Sequence, residues 1–184
     1  LVWTVPEFFN MGVEVCDRHA ETGPARTALI FENEDGDVTQ YSFQVLRHLS
    51  NKLANLFVAQ GMEPGDRVGI LLPQSVETGI AHIAAWKAGM ISIPMFTLFG
   101  PDALKFRLSD SGARAIITDT DNLGKIESIR DQLPDLKVIF VCGAGQDGDG
   151  IADLWRGLDR AKDTFTPART RAEDPSFISY TSGT

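Results

Sequence analysis

The residues best suited to chemistry lie at the far end of the chain. Phe177-Ile178-Ser179-Tyr180 is apolar enough for a strand, and Thr181-Ser182-Gly183-Thr184 follows it as a turn. Small hydroxyl residues beside a glycine can wrap an anion. The glycine lets the backbone approach closely, N–H groups point inward, and the hydroxyls add further donors. Polyphosphate is the anion that suits such a loop. An ordinary turn at a strand end has the same composition, so the remaining sequence must decide between the two.

Other candidates carry less. Cys16 and Cys142 are far apart and form no Cys-x-x-Cys pair, and His19, His48 and His82 are scattered singly. No metal site is expected from them, and both cysteines read as small buried residues. Gly143-Ala144-Gly145-Gln146-Asp147-Gly148 matches the dinucleotide pattern G-x-G-x-x-G between a strand and a helix. Asp147 and Asp149 would oppose a pyrophosphate there, and Gly150 delays the helix past the motif. A flexible surface loop is the better reading, and a calcium loop lacks its remaining ligand positions. His82 sits among Ile80, Ala81, Ile83 and Ala84 as a packed helix histidine. Lys87 reads as a helix-end lysine favourable to the dipole. Phe96-Thr97-Leu98-Phe99 suits core packing or the wall of an apolar pocket. Arg67, Lys105, Arg107 and Arg114 form no dense patch and read as solvated.

The elements that must position the terminal loop follow from periodicity and breakers. Residues 1–26 read as irregular, with a short helix over Glu14 to His19 anchored by Val15 and Phe9. Ala28 to Glu32 and Val38 to Tyr41 flank an Asp-Gly turn as a hairpin. Ser42 caps a helix from Phe43, whose Leu46, Leu49, Leu53, Leu56 and Phe57 share one face. Strands are expected at Arg67 to Leu72, Ile91 to Met95, Ala115 to Thr118, Val138 to Cys142 and Phe177 to Tyr180. Pro94 places its strand at an end or an edge. Helices are expected at Val76 to Ala88, from Pro101 to Gly112, at Leu123 to Leu133 and at Ile151 to Ala161, with Leu104, Leu108 and Phe106 on the buried side of the second. Strands apolar throughout and alternating with helices imply a doubly wound α/β layer: a mostly parallel sheet with helices on both faces, preceded by the hairpin. In such sheets ligands bind beyond the carboxyl ends of the strands, where Thr181 to Thr184 falls.

Composition limits the partners. A net charge of −8 over 184 residues argues against nucleic acid or an anionic membrane. No apolar run reaches membrane-spanning length, and a reducing, cytoplasmic setting is expected. The 43 % hydrophobic content suffices for a sizeable core.

Several stretches taken in order carry a resemblance. They are Thr39-Gln40-Tyr41-Ser42-Phe43, Ser50-Asn51-Lys52-Leu53-Ala54, Gly65-Asp66-Arg67-Val68, Trp86-Lys87-Ala88-Gly89 with Ile93-Pro94, Ser111 to Asp119, and Asp174-Pro175 leading into Tyr180-Thr181-Ser182-Gly183-Thr184. Together they resemble the N-terminal portion of the adenylate-forming, AMP-dependent acyl-CoA synthetase superfamily over essentially the whole chain. Asn10 to His19 and Leu98-Phe99-Gly100-Pro101 look most like its acetyl-CoA and medium-chain acyl-CoA synthetase branch.

The resemblance implies a ligase of fatty acid metabolism that uses ATP, Mg2+ and coenzyme A on a small carboxylic acid. Thr181, Ser182, Gly183 and Thr184 would then contact the β- and γ-phosphates, and no residue here would be a catalytic acid, base or nucleophile. Residues 1–184 would be the first part of the large adenylating domain: lead-in and hairpin over 1–42, βα repeats over 43–161, then linker and strand over 162–184. The family's phosphate loop continues as Thr-Gly-x-Pro-Lys-Gly, so these residues alone are expected to be inactive. Loading of a carrier protein, luciferase-type oxygen chemistry, or a non-catalytic α/β ligand-binding module are the alternatives. Strands following Thr184 would pack beside the present ones, so the isolated 184 residues should expose an unpaired edge and self-associate. Sedimentation of a clean monomer at high concentration would count against that expectation.

Overall fold

Apolar runs and capped helices alternate as the periodicity requires. The structure, a computed structural model, describes residues 4–143, 145 and 148–181. A π-helical turn, Val13–Asp17, runs directly into α1, Arg18–Thr22. β1 (Thr27–Glu32) and β2 (Val38–Ser42) form an antiparallel hairpin. Then come α2 (Phe43–Ala59), β3 (Arg67–Leu71), α3 (Val76–Lys87), β4 (Ile91–Pro94), α4 (Pro101–Ser111), β5 (Ala115–Asp119) and α5 (Thr120–Glu127). A 3-10 turn at Arg130–Gln132 precedes β6 (Val138–Cys142), β7 (Ile151–Asp153) and α6 (Leu154–Arg160).

The strands β3 to β7 make one parallel sheet in the order β4-β3-β5-β6-β7. Its two faces bury separate cores. Leu53 and Phe57 of α2, Ile80 and Ala84 of α3 and Leu158 of α6 cover one face, and Leu104 and Leu108 of α4 with Ile126 of α5 cover the other. Covering both faces is what makes the strands apolar throughout. The expected α/β layer with its small hairpin is therefore the observed architecture.

Local chemistry sets the boundaries. Ser42 Oγ accepts a hydrogen bond from Val45 N at 3.3 Å, and Ser75 Oγ accepts one from Thr78 N at 3.4 Å, so α2 and α3 begin where hydroxyl caps stand. Gly112 closes α4 in the left-handed region at φ 59°, where a Cβ would be strained.

Several expectations need correction. The helix over 151–161 begins only at Leu154, where Asp153 Oδ1 caps Arg156 N at 2.7 Å; Ile151–Asp153 is a fifth parallel strand beside β6. The helix over 123–133 starts earlier, at Thr120, because Asp119 Oδ1 caps Asn122 N at 2.8 Å, and it yields to a 3-10 turn after Glu127. In the first helical stretch Cys16 and Asp17 face inward, whereas Val15 and Phe9 are exposed.

The strand over 177–180 is a single bridge, Ser92 to Phe177. Ser92 N donates to Ser176 O at 3.1 Å and Ile178 N donates to Ser92 O at 3.0 Å. The next rung would need an N–H from Pro94, which has none, so the ladder stops there.

Lys87 stands in the last turn of α3, as expected, but its role goes beyond the helix dipole. Its side chain is 0 % exposed. The ammonium forms an ion pair with Asp17 Oδ1 at 2.6 Å and donates to Asn51 Oδ1 at 2.8 Å and Ser50 Oγ at 2.9 Å. Burial pulls its pKa down and the Asp17 carboxylate opposes that pull. The contact joins the π-helical turn to α2 and α3. The approach is close: a Cβ on Gly12 would lie 2.7 Å from Ile83 O. Lys87→Met is expected to leave Asp17 buried with only Arg47, at 4.0 Å, nearby. The loss should be about 3–5 kcal/mol of unfolding free energy in urea, and adding Asp17→Leu should return much of it. A Lys87→Met midpoint equal to that of the parent protein would refute this account.

Candidate functional site

Beyond the carboxyl ends of β3 and β4 lies a cavity of about 620 Å3. Ile70 and Leu72 come to it from β3 and its exit, and Pro94 and Met95 from β4 and its exit. The first turns of α3 supply Ser75, Thr78 and, one turn further, His82. The volume falls in the range of small-molecule sites, and the lining mixes apolar side chains with a few polar groups, as such sites do. Phe96, Thr97 and Phe99 are part of the wall. Phe99 also packs against the core, so the Phe-Thr-Leu-Phe stretch meets both expectations in part. Phe96 is 73 % exposed and packs edge-on against Phe99 at 5.6 Å.

Ser179 and Tyr180 close the side of the cavity next to Thr181. Thr181 is exposed and lies in irregular backbone immediately after them. Of the four loop residues singled out from sequence, Ser182, Gly183 and Thr184 lie outside the described residues. The approach to the loop is fixed from the α3 side. Trp86 Nε1 donates to Ser176 O at 2.9 Å, and the His82 ring lies between those of Trp86 and Phe177, at 5.4 and 6.1 Å. His82 Nδ1 is 3.0 Å from Ser92 Oγ. His82 is therefore a packed helix histidine, as expected, and also part of the cavity wall.

Behind this segment runs a strap that sequence reasoning left irregular. Asn10 Nδ2 donates to Trp86 O at 3.0 Å, Lys87 O at 3.2 Å and Ala168 O at 3.0 Å. Ala168 N donates to Lys87 O at 2.7 Å, and Phe9 N to Thr170 O at 2.9 Å. The carbonyls that α3 leaves without helical partners thus hold both the N-terminal segment and the connector after α6. Asn51 Nδ2 and Asn55 Nδ2 hold the start of that connector at Asp163 O and Lys162 O, at 2.9 and 2.8 Å. A sequence sign existed for Ser50 and Asn51 alone, which are polar residues on the apolar face of α2.

The remaining candidates are structural. Arg67 Nε and Nη2 donate to Ser111 O and Gly112 O, both at 2.6 Å, and Arg114 Nη1 pairs with Asp66 Oδ2 at 3.0 Å. Neither arginine is simply solvated. Leu104 and Leu108 are buried, but Phe106 is 60 % exposed. In the G-x-G-x-x-G stretch Ala144, Gln146 and Asp147 lie outside the described residues. Gly148 to Gly150 are exposed and lead into β7, so no helix opens on the motif. Cys16 and Cys142 are free thiols, the first buried with its pKa pushed up by burial to about 11, the second half-buried and also pushed up by burial. Among the described residues no group of three or more His, Cys, Asp or Glu is placed to hold a metal, and no helix is long and apolar enough to cross a membrane.

Burial holds the His82 pKa below its ordinary value, and no charged partner offsets this. The unfolded chain therefore takes up a proton near pH 6.5 that the folded chain resists. The stability tied to neutral His82 is present above that pH and lost as pH falls below it. His82→Phe should flatten this part of the unfolding free energy between about pH 7 and 5. An unchanged slope in urea titrations would contradict it.

Known proteins are similar to this chain in sequence and in fold. The AMP-binding enzyme family matches residues 16–184. The chain is 33 % identical over 207 residues to an acetyl-coenzyme A synthetase of Streptomyces coelicolor, covering all of this chain and 32 % of the relative. It is 32 % identical over 186 residues to the human mitochondrial acyl-coenzyme A synthetase ACSM5, covering 98 % of this chain and 32 % of that one. It therefore spans about a third of the length of the curated relatives it matches. A Brucella canis acyl-CoA synthetase superposes with a TM-score of 0.87 at 28 % identity, over 100 % of this chain and 33 % of its own. The anthranilate CoA ligase AuaEII, solved with anthranoyl-AMP, gives 0.86 at 26 % identity, over 97 % and 32 %. With the parallel sheet, its carboxyl-end cavity and a family match over nearly its whole length, the chain belongs to the AMP-binding enzyme family.

Proposed function

We propose that these residues are the N-terminal part of the adenylating domain of an ATP-dependent carboxylate–CoA ligase. The observation that carries this is the family match running through Thr184, on relatives described as acetyl- and acyl-coenzyme A synthetases. The position of Ser179 and Tyr180 in the wall of the carboxyl-end cavity supports it.

In the proposed reaction a substrate carboxylate oxygen attacks the α-phosphorus of ATP. Pyrophosphate leaves and an acyl-adenylate remains. The coenzyme A thiol then attacks the acyl carbon, its proton is lost, and AMP leaves from the thioester. The first step concentrates negative charge on phosphate oxygens, and catalysis is positioning plus electrostatic stabilisation. Thr181, Ser182 and Thr184 supply hydroxyl donors, and Gly183 lets the backbone N–H groups approach the β- and γ-phosphates. That donor set suits phosphate oxygens and carries no charge that would repel them. Mg2+, a hard cation that favours phosphate oxygens, would offset their charge when bound with ATP. The compartment proposed is the cytoplasm.

The test is carboxylate-dependent exchange of pyrophosphate into ATP by the full-length protein, followed by thioester formation with coenzyme A. Exchange with at least one carboxylate of a short-to-medium-chain panel is expected, with AMP as the nucleotide product. Thr184→Val should lower kcat/KM for ATP by about 10- to 100-fold without changing the circular dichroism spectrum. Formation of ADP, or exchange that ignores every carboxylate, would sink the proposal. Acyl transfer only to a carrier protein's phosphopantetheine would instead exclude coenzyme A as the acceptor.

A further inference from the structure

The chain between Ser176 and Thr181 pairs with β4 only through the bridge at Phe177, and among the described residues no main-chain hydrogen bond to β4 follows Ile178. Pro94 has no N–H to give Ile178 O. What holds the last residue before Thr181 is a helix. Tyr180 Oη donates to Asp110 Oδ2 at 2.7 Å, with Arg107 O a longer second acceptor at 3.2 Å. The Arg107 guanidinium lies over the Phe99 ring at 4.0 Å and over the Tyr180 ring at 5.5 Å. Phe106 meets the Tyr180 ring edge-on at 6.2 Å. Residues 106, 107 and 110 share one face of α4, so a single helical turn grips the phenol by its hydroxyl, its face and its edge. The other side of this segment is the cavity wall.

We propose that α4 is the platform that fixes Tyr180 at the cavity wall, and that Asp110 and Tyr180 are positioning residues for ATP in the proposed adenylation reaction. The inference rests on the function proposed above. Asp110 is an exposed carboxylate, and among the described residues its side chain is hydrogen-bonded to Tyr180 alone. An exposed carboxylate so placed has little else to contribute to stability, so its loss should be felt at Tyr180. The bond is charge-assisted and short, which makes it the strongest hold on the phenol. Burial and the Asp110 carboxylate both push the Tyr180 pKa up, so the phenol keeps its proton and remains a donor. Loop geometry matters most where donors must match phosphate oxygens, since small misplacements of positioned groups are costly in rate.

The experiment uses the full-length protein in the carboxylate-dependent exchange assay, with ATP and carboxylate varied separately. Asp110→Ala should raise KM for ATP by about 5- to 20-fold, leave KM for the carboxylate within about twofold, and leave the thermal midpoint near that of the unsubstituted protein. Asp110→Asn, which keeps an acceptor, should recover most of the loss. Tyr180→Phe should match Asp110→Ala, and the double variant should be no worse than either, because both remove the same bond. An Asp110→Ala protein with an unchanged KM for ATP, or additive losses in the double variant, would overturn the proposal while leaving the ligase reading intact. Equal loss for ATP and carboxylate through kcat alone would also overturn it, as the mark of a general structural defect. Absence of exchange in the unsubstituted protein would overturn both.

Discussion

A buried ammonium cannot be left unpartnered, and that constraint organises the first ninety or so residues. Lys87 stands at the end of α3 in the core, with the cost of its desolvation set against three oxygens. Those oxygens come from the π-helical turn and from α2. The irregular N-terminal stretch must therefore lie against α3 closely enough to deliver Asp17. Gly12 permits that approach, and the π-helical turn sets Cys16 and Asp17 inward where the expected helix would have turned Val15. A wider turn at a functional or strained place is where π geometry recurs.

The same helix end does a second task with its backbone. Its free carbonyls receive Asn10 and Ala168, so the ion pair and the strap share one anchor. From there the connector passes Ser176 under Trp86, and Tyr180 reaches α4. A series of separate hydrogen bonds, at Lys87 O, Trp86 Nε1 and Asp110 Oδ2, pins the connector at intervals. It explains why a stretch with almost no regular structure after α6 nevertheless lies in a fixed place.

Most of the layer was legible from sequence because its strands are uninterrupted apolar runs and its helices begin at Ser42, Ser75 and Gly100-Pro101. Such signals are local, and tertiary contacts reinforce rather than override them. What escaped had no local signal. β7 is three residues long and follows glycines, so its Ile151 read as the start of the helix that Asp153 caps. Lys87 has the sequence of an ordinary helix end, and only Ser50 and Asn51 on an apolar face hinted at a buried partner. The role of Asn10 depends on residues more than seventy positions away. The Tyr-Thr-Ser-Gly-Thr stretch was legible as a motif, whereas the contacts of Tyr180 with Asp110 and of Ser176 with Trp86 are long-range and no short window displays them.

The strap has a consequence for the order of assembly. Asn10 and Ala168 are separated by 158 positions, and Thr170 reaches Phe9 across 161. Closing so long a span early would cost chain entropy with few contacts in return. The intervening sheet, once formed, brings the two ends near each other at little further cost. Contacts of β3 with β4 and β5 span far shorter distances along the chain and can precede it. The segment that leads to the loop is thus expected to dock last, onto a scaffold already made, during synthesis as much as during refolding. Damage to the N-terminal stretch would then register as a chain whose sheet is formed but whose two ends have not met.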